Sequence, residues 1–385
     1  ASGDVAILDE QVPFLQAAPL ADDEHDRYAR FTPGGAPHSL FEHCKRALQH
    51  GVTEGKHGLP LIGGGDWNDG MDRLGRQGRG ESVWLGWFAI AAMRSFAGLA
   101  GRQEKDDQAS YWRSRADTLA QRVDQVAWDG AWFQRARDDD GRPLGSHADR
   151  ECRIDSIAQS WSVLAGAASS EHAAIAMRSA LDELVRDEQR LIRLLWPPFA
   201  DSPREPGYIK AYPPGIRENG GQYSHAAAWL GLACAEMGDA ASAWRIFDLL
   251  NPIHQAGSAE ALARYRVEPY VLAADIASVA PHCGRGGWTW YSGSAAWTWR
   301  LALEGILGLR LQDGRLTIAP CLPAGWQRFS AQIRVGNGSL QVWVEKRAAQ
   351  DRITPPMTLD GEPCREASLA FPPDGSTRVV RVLLD

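Results

Sequence analysis

Gly63-Gly64-Gly65-Asp66-Trp67-Asn68-Asp69-Gly70 gathers loop-making glycines, two carboxylates and an indole in one short stretch. Consecutive glycines reach backbone conformations closed to other residues, so the chain can turn sharply at the end of an element and come close to a ligand. Trp67 offers a flat face to a sugar ring. Asp66 and Asp69 supply a proton donor and a group to hold it, or to hold sugar hydroxyls. The same residues also suit a tight Asx-type turn around a packed Trp, and taken alone they leave both readings open.

Working outward, the stretch lies between helical patterns. Upstream, Ser39 with Glu42 makes a capping box for a helix from Leu40. Downstream, Val83/Trp84, Trp87/Phe88 and Ala91/Ala92 recur at helical spacing, and Trp112, Ala116, Leu119, Val123 and Val126 repeat it. The spacing returns at Ile154, Ile157, Ala158, Trp161, Leu164 and Ala165, and again through Ala174, Met177, Leu181 and Leu184. Further helices are predicted over 226–237, 241–250 and 294–307. Residues 128–149 and 196–221, rich in Gly, Asp or Pro, read as long loops, the first with room for a small hairpin. Strong helices joined alternately by short turns and long loops predict a mainly α fold of helical hairpins over 39–307, with the long loops at one end.

Residues 1–38, broken by Pro13, Pro19, Pro33 and Pro37, read as an irregular lead-in. Past Gly308 the period changes to two. Residues 309–318 form a hairpin around Asp313-Gly314, a second pair flanks Gly336-Asn337-Gly338, and Val379–Leu384 adds a strand. A small antiparallel sheet or sandwich is therefore predicted over 308–385.

The net charge of -7, with no basic cluster, argues against a nucleic acid partner. Sixteen Trp suit a buried core and equally a sugar-stacking cleft. The six cysteines show neither CxxC pairs nor a His-Cys cluster, so neither a metal site nor a disulfide framework is expected. They read as buried thiols of a reducing compartment. No long apolar run and no basic, apolar leader appears at Ala1 to Glu10, so a soluble chain without a membrane segment or an export signal is expected.

Four segments carry a family resemblance: Leu61–Gly75 with Gly78–Trp84, Glu151–Trp161, Arg217–His225 and Gly286–Ala295. In that order they resemble glycoside hydrolase family 94, the inverting phosphorylases of β-linked glucosides, and most of all the C-terminal phosphorylase region of cyclic β-1,2-glucan synthases. The resemblance implies an (α/α)6 barrel followed by a small β domain. The predicted helices are too few for six helical hairpins, so an N-terminal β-sandwich and the first barrel helices are expected outside this chain. The parent protein is expected in the cytoplasm or on the cytoplasmic face of a bacterial inner membrane.

Inverting cleavage needs an acid on the leaving oxygen and a nucleophile on the opposite face of the sugar. A phosphorylase needs no second carboxylate, because phosphate is already anionic and has only to be held in line. By position in the family motif, Asp69 is the general acid and Trp67 lines the sugar site. Asp69 is expected in a poorly solvated place or near other acids, with Asp66 as that neighbour, as a sugar contact, or as a group that only fixes the loop. His225 matches the phosphate-contacting histidine, and Ser292-Gly293 matches a Thr-Gly pair ahead of a helix whose dipole favours an anion. Arg217 and Glu218 match a Lys-Glu pair that grips sugar hydroxyls, with Arg changing reach and geometry. Asp155, Gln159 and Glu268 also fall in motif segments and read chiefly as ties between loops.

The resemblance thus implies reversible phosphorolysis of a β-glucan or β-glucoside to α-glucose 1-phosphate, with inorganic phosphate as co-substrate and no cofactor or metal. The family's phosphate-binding arginine lies in the N-terminal half, so this chain alone is expected to bind phosphate weakly. Two other readings are an inverting hydrolase with Glu218 as base and a non-catalytic glucan-binding module.

Overall fold

The computed structural model describes residues 3–21, 24, 27–347, 356–366 and 368–384. Residues 1–2, 22–23, 25–26, 348–355, 367 and 385 of the segments discussed above lie outside them. Among the described residues the helices are α1 (Leu40–Gly51), α2 (Val83–Arg102), α3 (Asp106–Val126), α4 (Ser156–Leu164), α5 (Ser170–Leu184), α6 (Ser224–Glu236), α7 (Ala240–Leu250), α8 (Pro252–Gln255), α9 (Ala259–Tyr265) and α10 (Ser292–Arg300). A π-helical turn, Leu301–Ile306, continues α10.

Helix starts follow local chemistry. The side chains of Ser39, Ser82, Asp155, Ser169 and Asp239 each accept a backbone N–H in the first turn of the helix they precede. The capping box at α1 is half realised: Ser39 accepts from Glu42 N, but the Glu42 carboxylate turns to Lys45 and Arg46.

The helices pack in two layers. Helices α2, α4, α6 and α10 lie side by side in one row, and α3, α5 and α7 back α2, α4 and α6. Their apolar residues form one contiguous core in which Trp87 and Trp112 are fully buried. Helix α2 is long and apolar enough to cross a membrane by composition, yet it packs against α1, α3 and α4, which accounts for that composition. Short turns leave the C-terminal ends of α2, α4 and α6, whereas long loops lead into their N-terminal ends.

Two-residue strands clip these loops to one another just ahead of α2, α4 and α6. Glu81–Ser82 pairs with Ala136–Arg137, Ile154–Asp155 with Leu195–Trp196, and Gln222–Tyr223 with Asp275–Ile276. The expected gathering of long loops at one end is thus realised, and the hairpin expected within 128–149 is the pair Ala136–Arg137 and Pro143–Leu144.

Three expectations are corrected. The lead-in is only partly irregular: Ala6–Asp9 is a 3-10 turn, and Gln11–Gln16 pairs antiparallel with Thr32–Ser39. Its prolines survive because a two-stranded ribbon has outward edges where a missing N–H breaks no bond, and the register shifts at Pro13 between Val12 and Phe14.

The C-terminal unit is mixed rather than antiparallel. Residues Gly338–Lys346 pair antiparallel with Arg328–Val335 but parallel with Thr377–Leu384. The Asp-Gly hairpin does form, with φ of 54° at Asp313 and 68° at Gly314, as a tight two-residue turn requires. The cysteines are all free, but only Cys152 and Cys234 are buried, and Cys44 is exposed.

Candidate active site

The loop 63–70 is shaped by close backbone packing. Gly65, at φ 126°, lies where a Cβ would come 3.1 Å from Asp69 Cα. The short 3-10 turn Asp69–Met71 then packs on a second one, Tyr208–Ala211. Gly207, at φ 128°, allows that contact, since a Cβ there would fall 2.0 Å from Asp72 Oδ1. Beneath both turns, Ile62, Met71, Leu74, Phe199 and Ile209 form a separate small core.

Asp69 is exposed at the start of its turn rather than held in a poorly solvated place. The Tyr208 hydroxyl lies beside its carboxylate, and burial together with that neighbour pushes the hydroxyl well above its usual range. Asp66, expected beside Asp69 or on the sugar, does neither. Its side chain is completely buried, gripped by Arg135 and by the Ser82 hydroxyl, so only the loop-fixing role fits. Burial opposes its charge, but Arg135 and the other donors hold the carboxyl below its normal value.

Trp67 is half-buried, its ring 5.5 Å from that of His225, 5.2 Å from Tyr223 and 5.3 Å from Trp229. His225, in the first turn of α6, stacks at 5.8 Å on Trp297 of α10. Its Nε2 is buried with no partner among the described residues, and burial pushes its pKa down to about 4, so the ring is neutral at pH 7. Its Nδ1 lies 4.0 Å from where a Cβ on Gly293 would stand. Ser292 and Gly293 are exposed in the first turn of α10, which has no side-chain cap. Free N–H groups and the helix dipole there favour an anion.

Arg217, in the left-handed region at φ 49°, folds onto its neighbour Glu218, with Nε 3.3 Å from Oε2 and Nη2 3.4 Å from Oε1. The guanidinium also lies over Tyr212 at 5.4 Å and Trp288 at 5.6 Å. Burial works against the Arg217 charge, but Glu218 outweighs it and raises the pKa. Asp155 and Gln159 tie loops as expected: Asp155 caps α4 and meets Arg135, and Gln159 is bonded to the backbone of Phe133. Glu268 accepts from the Trp290 indole at 3.0 Å.

The structure therefore brings Trp67, His225, Ser292 and Gly293 together, sets Asp69 beside Tyr208, and holds Arg217 with Glu218 between two aromatic rings. Sequence reasoning missed Tyr208, Arg135 and Asp275. Asp275 is buried behind Trp288, and burial raises its pKa. Among the described residues no group of three or more His, Cys, Asp or Glu side chains gathers as a metal site.

Residues 2–308 match the family described as Glycosyl hydrolase 94 superfamily, catalytic domain. The chain belongs to that superfamily. Residues 309–354 match the C-terminal domain of glycosyl hydrolase family 65. Within the superfamily the chain is 46% identical over 346 residues to the cyclic beta-(1,2)-glucan synthase NdvB of Rhizobium meliloti (strain 1021), covering 90% of this chain and 12% of that protein. It is 30% identical over 376 residues to 3-O-beta-D-glucopyranosyl-beta-D-glucuronide phosphorylase of Paenibacillus borealis, covering 96% of this chain and 45% of the relative. A solved sialidase shares the fold, with a TM-score of 0.56 and 16% identity over 76% of this chain and 26% of that one.

Proposed function

We propose that this chain carries the acid and phosphate-binding side of a glycoside phosphorylase that cleaves β-linked glucosides with inorganic phosphate. One observation carries the reading. The exposed, uncapped first turn of α10 sits beside an uncharged imidazole with a buried, unpartnered nitrogen, and that imidazole touches the loop bearing Asp69. Such a helix start suits a small anion, and Asp69 is the exposed acid on the loop that Trp67 joins to it. Asp69 gives its proton to the leaving oxygen, while phosphate held by His225, Ser292 and Gly293 attacks the anomeric carbon from the opposite face. The product is α-glucose 1-phosphate, with inversion. No cofactor is needed.

Glu218 is a poor base for water, being buried and paired with Arg217, which disfavours the hydrolase reading. Trp67, Arg217 and Glu218 hold sugar, with Trp288 and Tyr212 fixing the guanidinium. The two rows of helices are the C-terminal part of an (α/α)6 barrel, and likeness to a cyclic β-1,2-glucan synthase favours β-1,2-glucan as substrate within a longer, membrane-associated polypeptide.

The test is to incubate the intact parent protein with β-1,2-glucan and phosphate and to identify the sugar product and its anomer. α-Glucose 1-phosphate is expected; free glucose formed without any need for phosphate would overturn the reading.

A further inference from the structure

Arg135 has no place in the chemistry above, yet it is the most deeply placed cation near the loop. Its side chain and those of Asp66 and Asp155 are all 0% exposed. Nη1 donates to Asp66 Oδ2 at 2.7 Å, Nη2 to Asp66 Oδ1 at 2.6 Å, and Nε to Asp155 Oδ2 at 3.1 Å. Both carboxylates have second duties. Asp66 Oδ2 accepts from Ser82 Oγ at 2.6 Å, and Ser82 caps α2. Asp66 Oδ1 accepts from Asn68 N at 3.0 Å, and Asp155 caps α4 by accepting from Ile157 N. One guanidinium thus joins the loop 63–70 to the first turns of two inner helices.

The Arg135 backbone is fixed as well, donating to Leu144 O at 2.7 Å and accepting from Val83 N at 3.2 Å. Gly145 leaves room for it, since a Cβ there would lie 2.5 Å from Arg135 N. Burying three charges is costly, and well-packed apolar residues would serve stability as well. What the cluster supplies beyond stability is a fixed geometry: the planar, two-pronged fork admits one orientation of Asp66.

The geometry points to Arg135 as the positioning residue for Asp69. From Asp66 the order passes through the bond to Asn68 N and the bond from Met71 N to Asn68 O, which closes the turn that begins at Asp69. Arg135 touches no substrate and acts only through this chain of contacts. The inference rests on Asp69 being the proton donor of the proposed function.

The experiment uses the full-length parent protein with Arg135→Lys, which keeps the buried charge but cannot make the planar, two-pronged contact with Asp66. The expected result is a fall in kcat of about 10–100-fold, as for other residues that orient a reacting group. KM for glucan and for phosphate should stay within about threefold, and amide exchange should speed up at residues 66–71 but not in α7. Asp155→Asn, which leaves the fork on Asp66 intact, should keep kcat near wild type.

A lowered Tm with unchanged kcat in the folded enzyme, or unchanged exchange at 66–71, overturns the inference. Turnover is followed with both phosphate and water as acceptor. If the wild type proves to be a hydrolase, the proposed function fails, while the kcat split and the exchange pattern still decide the role of Arg135.

Discussion

The residues that carry the proposed chemistry can be told apart by what removing each would do. Asp69→Asn in the parent protein should lower kcat by about 10²–10⁴-fold, the range for a lost general acid, while glucan binding measured by calorimetry stays within about threefold. Tyr208→Phe removes the hydroxyl beside Asp69. It should cost about 1 kcal/mol of orientation, read as a fall in kcat of roughly fivefold. His225 makes a prediction about pH. Burial holds its folded pKa at about 4, against roughly 6.5 when unfolded. Between those values the unfolded chain binds the extra proton, so this contribution is whole above the unfolded value and shrinks as pH falls toward 4. Urea midpoints at pH 7 and pH 5 should therefore differ more in the wild type than in His225→Asn. Asp69, His225 and Ser292-Gly293 could be singled out as candidates because each sits in a compact motif. Arg135 and Tyr208 could not, because what gives them meaning, Asp66 and Asp69, lies far away in sequence.

Among the elements, the longer helices were legible from their apolar stripes, and at α1 the start was legible too, marked by Ser39. The hairpin at Asp313-Gly314 was legible for the same local reason. The ribbon formed by 11–16 and 32–39 was hidden because proline normally argues against a strand, and only the edge position makes it harmless. The parallel pairing of 338–346 with 377–384 was hidden too, since an alternating pattern says which face is buried but nothing of strand direction. The contact between the 3-10 turns at Asp69 and Tyr208 is the most exacting one near the site. Gly207→Ala should lower stability by about 1–3 kcal/mol, because φ of 128° is strained for any side chain and the new Cβ would meet Asp72 and Gly70. Chemical denaturation measures the loss, and Gly238→Ala, with φ of 77° and open space around it, should cost less.

At the scale of the molecule, the helical layers and the C-terminal strands share side chains. Leu322 packs against both cores, and Arg102–Asp313 and Arg310–Glu236 cross the same boundary. Exposed ion pairs contribute little, so the coupling rests on Leu322 and its neighbours. Calorimetry of the chain should show one transition, and Leu322→Ala, at a half-buried position and so costing about 1–2 kcal/mol, should separate it into two. The two-residue clips between long loops have a different consequence. They fasten each loop at its root, next to an inner helix, and leave its outer span free to vary in length and composition. Descendants of such a scaffold can acquire new preferences at the rim while the roots of the loops, and the inner helix starts beside them, stay in register.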